Sequence, residues 1–154
     1  MIKVAGFFLV RKDNKILVCH PTRHPSTFWS IPKGRLDKDE EPLDAAIRET
    51  KEESNVDLID WQIIHNIEPI VYPNNKKVLY AFVFFEFQNK LDFDSLELKC
   101  NSFVEREKGG FPEMDGYKWL TIDEAKQQLH SSQMKALIEL EKLIIKLEKK
   151  RANE

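Results

Sequence analysis

The chain has 154 residues, 42% apolar and 32% charged, and its 26 acidic side chains nearly balance 24 Lys and Arg for a formal net charge of −2. These proportions exclude a disordered or membrane-spanning polymer and suit one globular domain that buries roughly two thirds of its unfolded surface. Lys and Arg are dispersed rather than gathered into a tract that would track a nucleic acid, and Cys19 and Cys100 lack metal-binding spacing. Both thiols read as packing residues of a reduced, cytoplasmic protein.

Residues 2–10 (IKVAGFFLV) and 15–19 (KILVC) read as two strands joined by the turn-prone Lys12-Asp13-Asn14-Lys15. The apolar start is too short to span a bilayer. Pro21, Pro25 and Pro32 then suggest a loop over 19–34. His20 and His24 lack a third ligand nearby and read as ordinary solvated histidines, while Arg23 and Lys33 suit either phosphate contacts or a charged surface.

A helix is expected from Pro42, which is tolerated at N1, behind the acids Asp39, Glu40 and Glu41. Leu43, Ala46, Ile47 and Thr50 form its inward stripe, and Asn55 suits a left-handed end. Glu49, Glu52 and Glu53 stand at i, i+3 and i+4 on another side, with Arg48 four residues before Glu52. Like charges at this spacing cost a helix a few tenths of a kcal/mol each, about 0.2–0.5. A hard divalent cation reverses that sign, because Mg²⁺ takes oxygen from carboxylates, water and phosphates. A merely solvated acidic face is the plainer alternative for three Glu alone.

Further on, 58–72 and 77–87 read as a hairpin about Pro73-Asn74-Asn75, the second strand apolar on both faces and so covered by helices on both sides. Tyr72 and Tyr80 suit base stacking or core packing equally, and Lys76 and Lys77 read as solvated. Residues 88–112 are the least legible stretch. Trp119-Leu120 suggests a short strand, Thr121 to Glu124 a capping box, and the segment from Ser131 a terminal amphipathic helix with Met134, Leu137, Ile138, Leu140, Ile144, Ile145 and Leu147 on its apolar side. The organisation expected is a single domain over 1–150 and a polar tail at 151–154.

The run from Gly34 to Val56 resembles the Nudix box: Gly34, five residues, Glu40, seven residues, Arg48-Glu49, two residues, Glu52-Glu53. Thr50 departs from the usual apolar residue and Asn55 from the usual second Gly. The preceding Trp29 and Pro32-Lys33-Gly34, the Arg48-Glu49-Thr50 version of the box, and Glu113 six residues before Trp119 with Tyr117 two before it are similar to the diadenosine tetraphosphate hydrolase branch.

That resemblance implies an α+β Nudix fold, a mixed β-sheet sandwiched between α-helices (α/β/α). It implies hydrolysis of a phosphoanhydride by water, with Mg²⁺, or Mn²⁺ in its place, held by Glu49, Glu52, Glu53 and the Gly34 carbonyl. Arg48 would orient the cluster, and Glu113 or Glu49 would serve as base, with Glu105 and Glu107 as weaker rivals to Glu113. Glu40 would brace the loop. Lys33, Arg23 and Tyr72 would bind substrate. A dinucleoside polyphosphate leads among substrates; an RNA 5′ end and other nucleoside diphosphate derivatives follow, and a nucleotide-sensing module without catalysis is the alternative from another class. The expected assembly is a monomer or small homo-oligomer with no membrane partner.

Overall fold

The computed structural model describes residues 1–59 and 62–154. Asp60 and Trp61, which belong to the expected strand 58–72, lie outside the described residues. The centre of the molecule is β1 (Ile2–Val10), whose side chains alternate between two apolar cores. Val4, Phe8 and Val10 face one core, and Ala5, Phe7 and Leu9 face the other. β1 runs parallel to β6 (Lys77–Phe85) along its whole length. Its other edge is shared by β3 (Lys33–Arg35) and the start of β2 (Ile16–Pro21), both antiparallel. β2 continues antiparallel against β9 (Met114–Leu120), while β4 (His65–Asn66) and β5 (Ile70–Val71) pair with β6. The result is a seven-stranded mixed sheet. The helix α1 (Pro42–Ser54) covers the core of Ala5, Phe7 and Leu9; α2 (Ile122–Gln128) and α3 (Met134–Ala152) cover the other. The expected α/β/α layering is present. No helix among the described residues is long and apolar enough to cross a membrane.

Local signals worked where a backbone angle demanded a residue type. Asn14 and Asn75 turn the two hairpins at φ 62° and 58°, and Asn55 ends α1 at φ 68°. Thr121 caps α2 in a reciprocal capping box with Glu124.

Four expectations are corrected. The 58–72 run is not a continuous strand: among its described residues it pairs in the sheet at β4 and β5, with Glu68-Pro69 between them, and a proline cannot donate to the ladder. The 77–87 strand stops at Phe85, because the Glu86 carboxylate turns inward to accept the amides of Lys12 (2.9 Å) and Phe93 (2.6 Å). Ile138 and Ile145 face solvent on α3, whose packed face is Ala136, Leu137, Leu140 and Ile144. The tail is shorter than expected, since α3 continues through Ala152 with Arg151 lying 4.4 Å over the Phe87 ring.

The stretch 88–112 has a structural task. A helix leaves its last four carbonyls without internal partners. Here Asn101 Nδ2 donates to Lys51 O, Asn101 N to Glu52 O (2.6 Å), Tyr117 Oη to Glu53 O (2.5 Å) and Lys99 N to Ser54 O. Asn55 Nδ2 closes the joint by donating to Glu97 O. The end of α1 is thus pinned through backbone groups. The chain then forms a small antiparallel arm, β7 (Phe103–Val104) with β8 (Phe111–Pro112).

Thr50 is fully buried and its hydroxyl has no partner among the described residues. Thr50→Val keeps the shape and removes the orphaned donor. It is expected to raise stability by about 1 kcal/mol and the melting temperature by about 2–4 °C. Urea unfolding checks this; a loss of similar size would reject the reading of an unsatisfied hydroxyl.

Candidate functional site

The site lies where β3 crosses the carboxylate side of α1. β3 sits against β1 with Gly6 opposite Lys33 and Ala5 opposite Gly34. A Cβ at Gly6 would collide with the Pro32 carbonyl, and one at Gly34 with the Glu49 carboxylate. Glycine at both positions lets backbone approach backbone, and then carboxylate. The glutamates are more enclosed than an acidic surface would be: Glu53 is 1% and Glu49 8% exposed. Burial pushes the Glu53 carboxyl well above the usual range, opposed by the hydrogen bond from Lys33 N (2.9 Å) and reinforced by Glu113 and Glu49. Burial also raises Glu49, against the pull of Arg48. The Lys33 amine is pushed down by its own burial, with Glu53, Glu49 and Glu113 opposing.

Arg48 is the hub of this cluster. Its principal partner is Glu40, which takes both Nε (2.9 Å) and Nη2 (2.8 Å), and Glu52, four residues on, also pairs with it at 3.3 Å from Nη1. Nη1 also donates to Glu49 (2.8 Å) and Nη2 to Arg35 O (3.0 Å). Glu40 in turn accepts from Asp37 N, so it braces the loop as expected. These carboxylates raise the Arg48 pKa.

A cleft of about 650 Å³ opens over this wall. Gly34, Glu49, Glu52, Glu53, Lys33, Arg23 and Glu113 all line it. Tyr72 does not: it is buried in the core on the α3 side, its hydroxyl without a partner among the described residues, and offers no face to a base in the cleft. Glu105 and Glu107 are exposed and also outside the lining. Lys77 lines the cleft despite its solvated reading, because the parallel β1–β6 register carries its strand start there. Arg106, Phe111 and Phe28 line it too, and sequence gave no signal for them beyond their nearness to Glu113 and Trp29.

His20 also differs from the solvated histidine expected. Its Nδ1 lies 2.5 Å from Asp115 Oδ1 and its Nε2 donates to Pro25 O (2.9 Å), so it ties the loop after β2 to β9. The Asp115 hydrogen bond raises its pKa, offset in part by burial.

Among the described residues, no three His, Cys, Asp or Glu side chains converge on one point as they stand, since Glu49 and Glu52 lean on Arg48 and Glu53 on the Lys33 amide. The donor set nevertheless fits a hard divalent cation: several carboxylate oxygens, two of them on groups whose charged form burial penalises, beside a close backbone approach at Gly34. Such an arrangement binds phosphates through cations and acts on a phosphoanhydride.

Fold and site together define a hydrolase of the metal-assisted phosphoanhydride class. The NUDIX domain family model matches residues 2–140, and the chain belongs to that family, whose hydrolases need divalent metals. An RNA pyrophosphohydrolase from Pelagibacter ubique (strain HTCC1062) is 25% identical over 132 residues, covering 77% of this chain and 75% of that protein. A bis(5′-nucleosyl)-tetraphosphatase [asymmetrical] from Sus scrofa is 28% identical over 115 residues, covering 72% and 67%. A solved C. elegans Ap4A hydrolase binary complex shares the fold at TM-score 0.68 and 22% identity, with 94% of this chain and 98% of that one covered. With the charged positions of the box intact, the chain is an enzyme of the pyrophosphohydrolase class.

Glu53→Gln keeps the acceptor for Lys33 N and removes the buried charge. Turnover should fall on the order of a hundredfold or more while the midpoint of thermal unfolding holds or rises; full activity would remove Glu53 from the machinery. The His20–Asp115 pair carries a pH signature. A histidine whose folded pKa is raised contributes stability that is complete below its unfolded pKa and lost as pH rises through the folded one. The stability difference between the native protein and Asp115→Asn should therefore be largest at mildly acidic pH and shrink as pH rises above neutrality. A difference that grows with pH would contradict the pairing.

Proposed function

We propose that the protein is a Mg²⁺-dependent hydrolase of dinucleoside polyphosphates. One observation carries the reading: a single cleft gathers the glutamates of α1 and Glu113 together with Arg23, Lys33, Arg35, Lys77 and Arg106. That is the charge arrangement a polyanion needs when its scissile phosphate must meet carboxylate-held cations and its remaining phosphates must be held by basic side chains.

A divalent cation, with Mg²⁺ preferred by the all-oxygen donor set and Mn²⁺ in its place, supplies charge neutralisation on the phosphates and a more acidic bound water. Glu49, Glu52, Glu53 and the Gly34 carbonyl hold it. Arg48 fixes the spacing of these carboxylates, with Glu40 as its anchor. Lys33 takes a phosphate oxygen, and its depressed amine pKa reflects burial that a bound anion would offset. Glu113, oriented by Ser102 Oγ (2.9 Å), positions the attacking water or accepts its proton, with Glu49 as the other candidate. The reduced thiols suit a cytoplasmic enzyme.

A second reading, an RNA 5′-end pyrophosphohydrolase, gains support from the Pelagibacter relative and from the basic lining of the cleft. A panel assay with Mg²⁺ separates the two: dinucleoside tri-, tetra- and pentaphosphates, triphosphorylated and capped RNA, and ADP-ribose. The tetraphosphate should give the highest kcat/KM and unequal products. An RNA about tenfold ahead would replace the substrate assignment, and no turnover of any pyrophosphate compound would return the chain to a sensing role.

A further inference from the structure

We propose that Arg23 and Arg106, seated on the ring of Phe111, form an anion clamp that grips the length of a polyphosphate lying away from the α1 glutamates, so that the cleft favours long phosphate chains over diphosphate-linked substrates. The inference rests on the phosphoanhydride reading and names the part of the cleft that would measure the substrate. The two arginines come from separate segments, the loop after β2 and the turn of the β7–β8 arm. Their guanidinium carbons lie 4.1 Å and 5.7 Å from the Phe111 ring centroid. All three residues line the cleft that holds Glu49, Glu53 and Glu113.

Neither arginine makes an ion pair among the described residues, whereas Arg48 on α1 carries several. A guanidinium lying on an aromatic face has that face covered and its in-plane N–H edge free, and that edge is the one that meets phosphate in two parallel hydrogen bonds. Arg23 also holds a left-handed backbone at φ 67°, a conformation that costs a non-glycine residue on the order of 1 kcal/mol. The local structure enforces it: Thr22 N donates to Glu113 O (2.9 Å) and Thr22 Oγ1 to Pro112 O (2.5 Å). The loop bearing Arg23 is thereby stapled to the strand bearing Phe111. A solvated surface arginine requires neither the staple nor the shared ring.

Titration calorimetry with Mg²⁺-loaded inorganic tripolyphosphate, and with inorganic pyrophosphate as the short comparison, tests the clamp without any assumption about the nucleoside. Arg106→Ala and Arg23→Ala should each weaken tripolyphosphate binding about tenfold, and Phe111→Leu about threefold, with a clearly smaller effect on pyrophosphate. Arg106→Lys, which keeps charge and loses the fork, should fall between native and Arg106→Ala. Equal weakening for both anions, or none for either, overturns the proposal, and unchanged thermal unfolding confirms that the variants are folded. If the panel assay rejects dinucleoside polyphosphates while tripolyphosphate discrimination persists, the substrate assignment fails and the clamp stands.

Discussion

Two carboxylates buried on one side of α1, with a single arginine to share, set what the surrounding structure must supply. Arg48 is already committed to Glu40, Glu49 and Glu52, so among the described residues Glu53 accepts its one side-chain hydrogen bond from the Lys33 amide, with the buried Lys33 amine as its nearby cation. Burying a carboxylate costs several kcal/mol, which is why the Glu53 pKa climbs. No helix would keep this arrangement for stability. On the function proposed above, a bound cation would make it favourable, with the glycine at 34 and the arginine at 48 setting the space and the spacing.

Holding acids in this state requires that α1 not shift along its axis, and the C-terminal joint provides for that. The carbonyls of Lys51, Glu52, Glu53 and Ser54 are each engaged by Asn101, Tyr117 or Lys99. These bonds run to the backbone of the glutamates, leaving their side chains to the cleft. Tyr117 is therefore a positioning residue, with its hydroxyl proton retained by burial that pushes its pKa up.

This division explains what could be read from the chain. The box was legible because its meaning lies in helical spacing: Glu49, Glu52 and Glu53 share a side whatever the tertiary context, and Asn55 announces the helix end. Asn14, Asn75 and the Thr121 capping box were legible for the same local reason. Tyr72 was not, since whether an aromatic at a strand end meets a ligand or the core depends on which face α3 covers. Lys77 depends on the β1–β6 register, a parallel pairing between segments some 75 positions apart. His20 depends on Asp115, which is reached only through the β2–β9 ladder.

The stretch that resisted reading joins the two ends of the chemistry. Residues 97–101 pin the end of α1, Cys100 Sγ accepts from Met114 N, Ser102 Oγ holds Glu113, and the arm beyond carries Arg106 and Phe111. A displacement of the arm by a bound polyanion would thus be felt at Glu113 through Ser102 and at Glu52 through Asn101. If the clamp and the role proposed for Glu113 hold, substrate length and catalytic geometry would be coupled by covalent continuity rather than by a relay across the core. The segment has no single long period because it reaches, in one pass, the end of α1, Glu113 and the short β7–β8 arm, and those three points lie on no regular lattice.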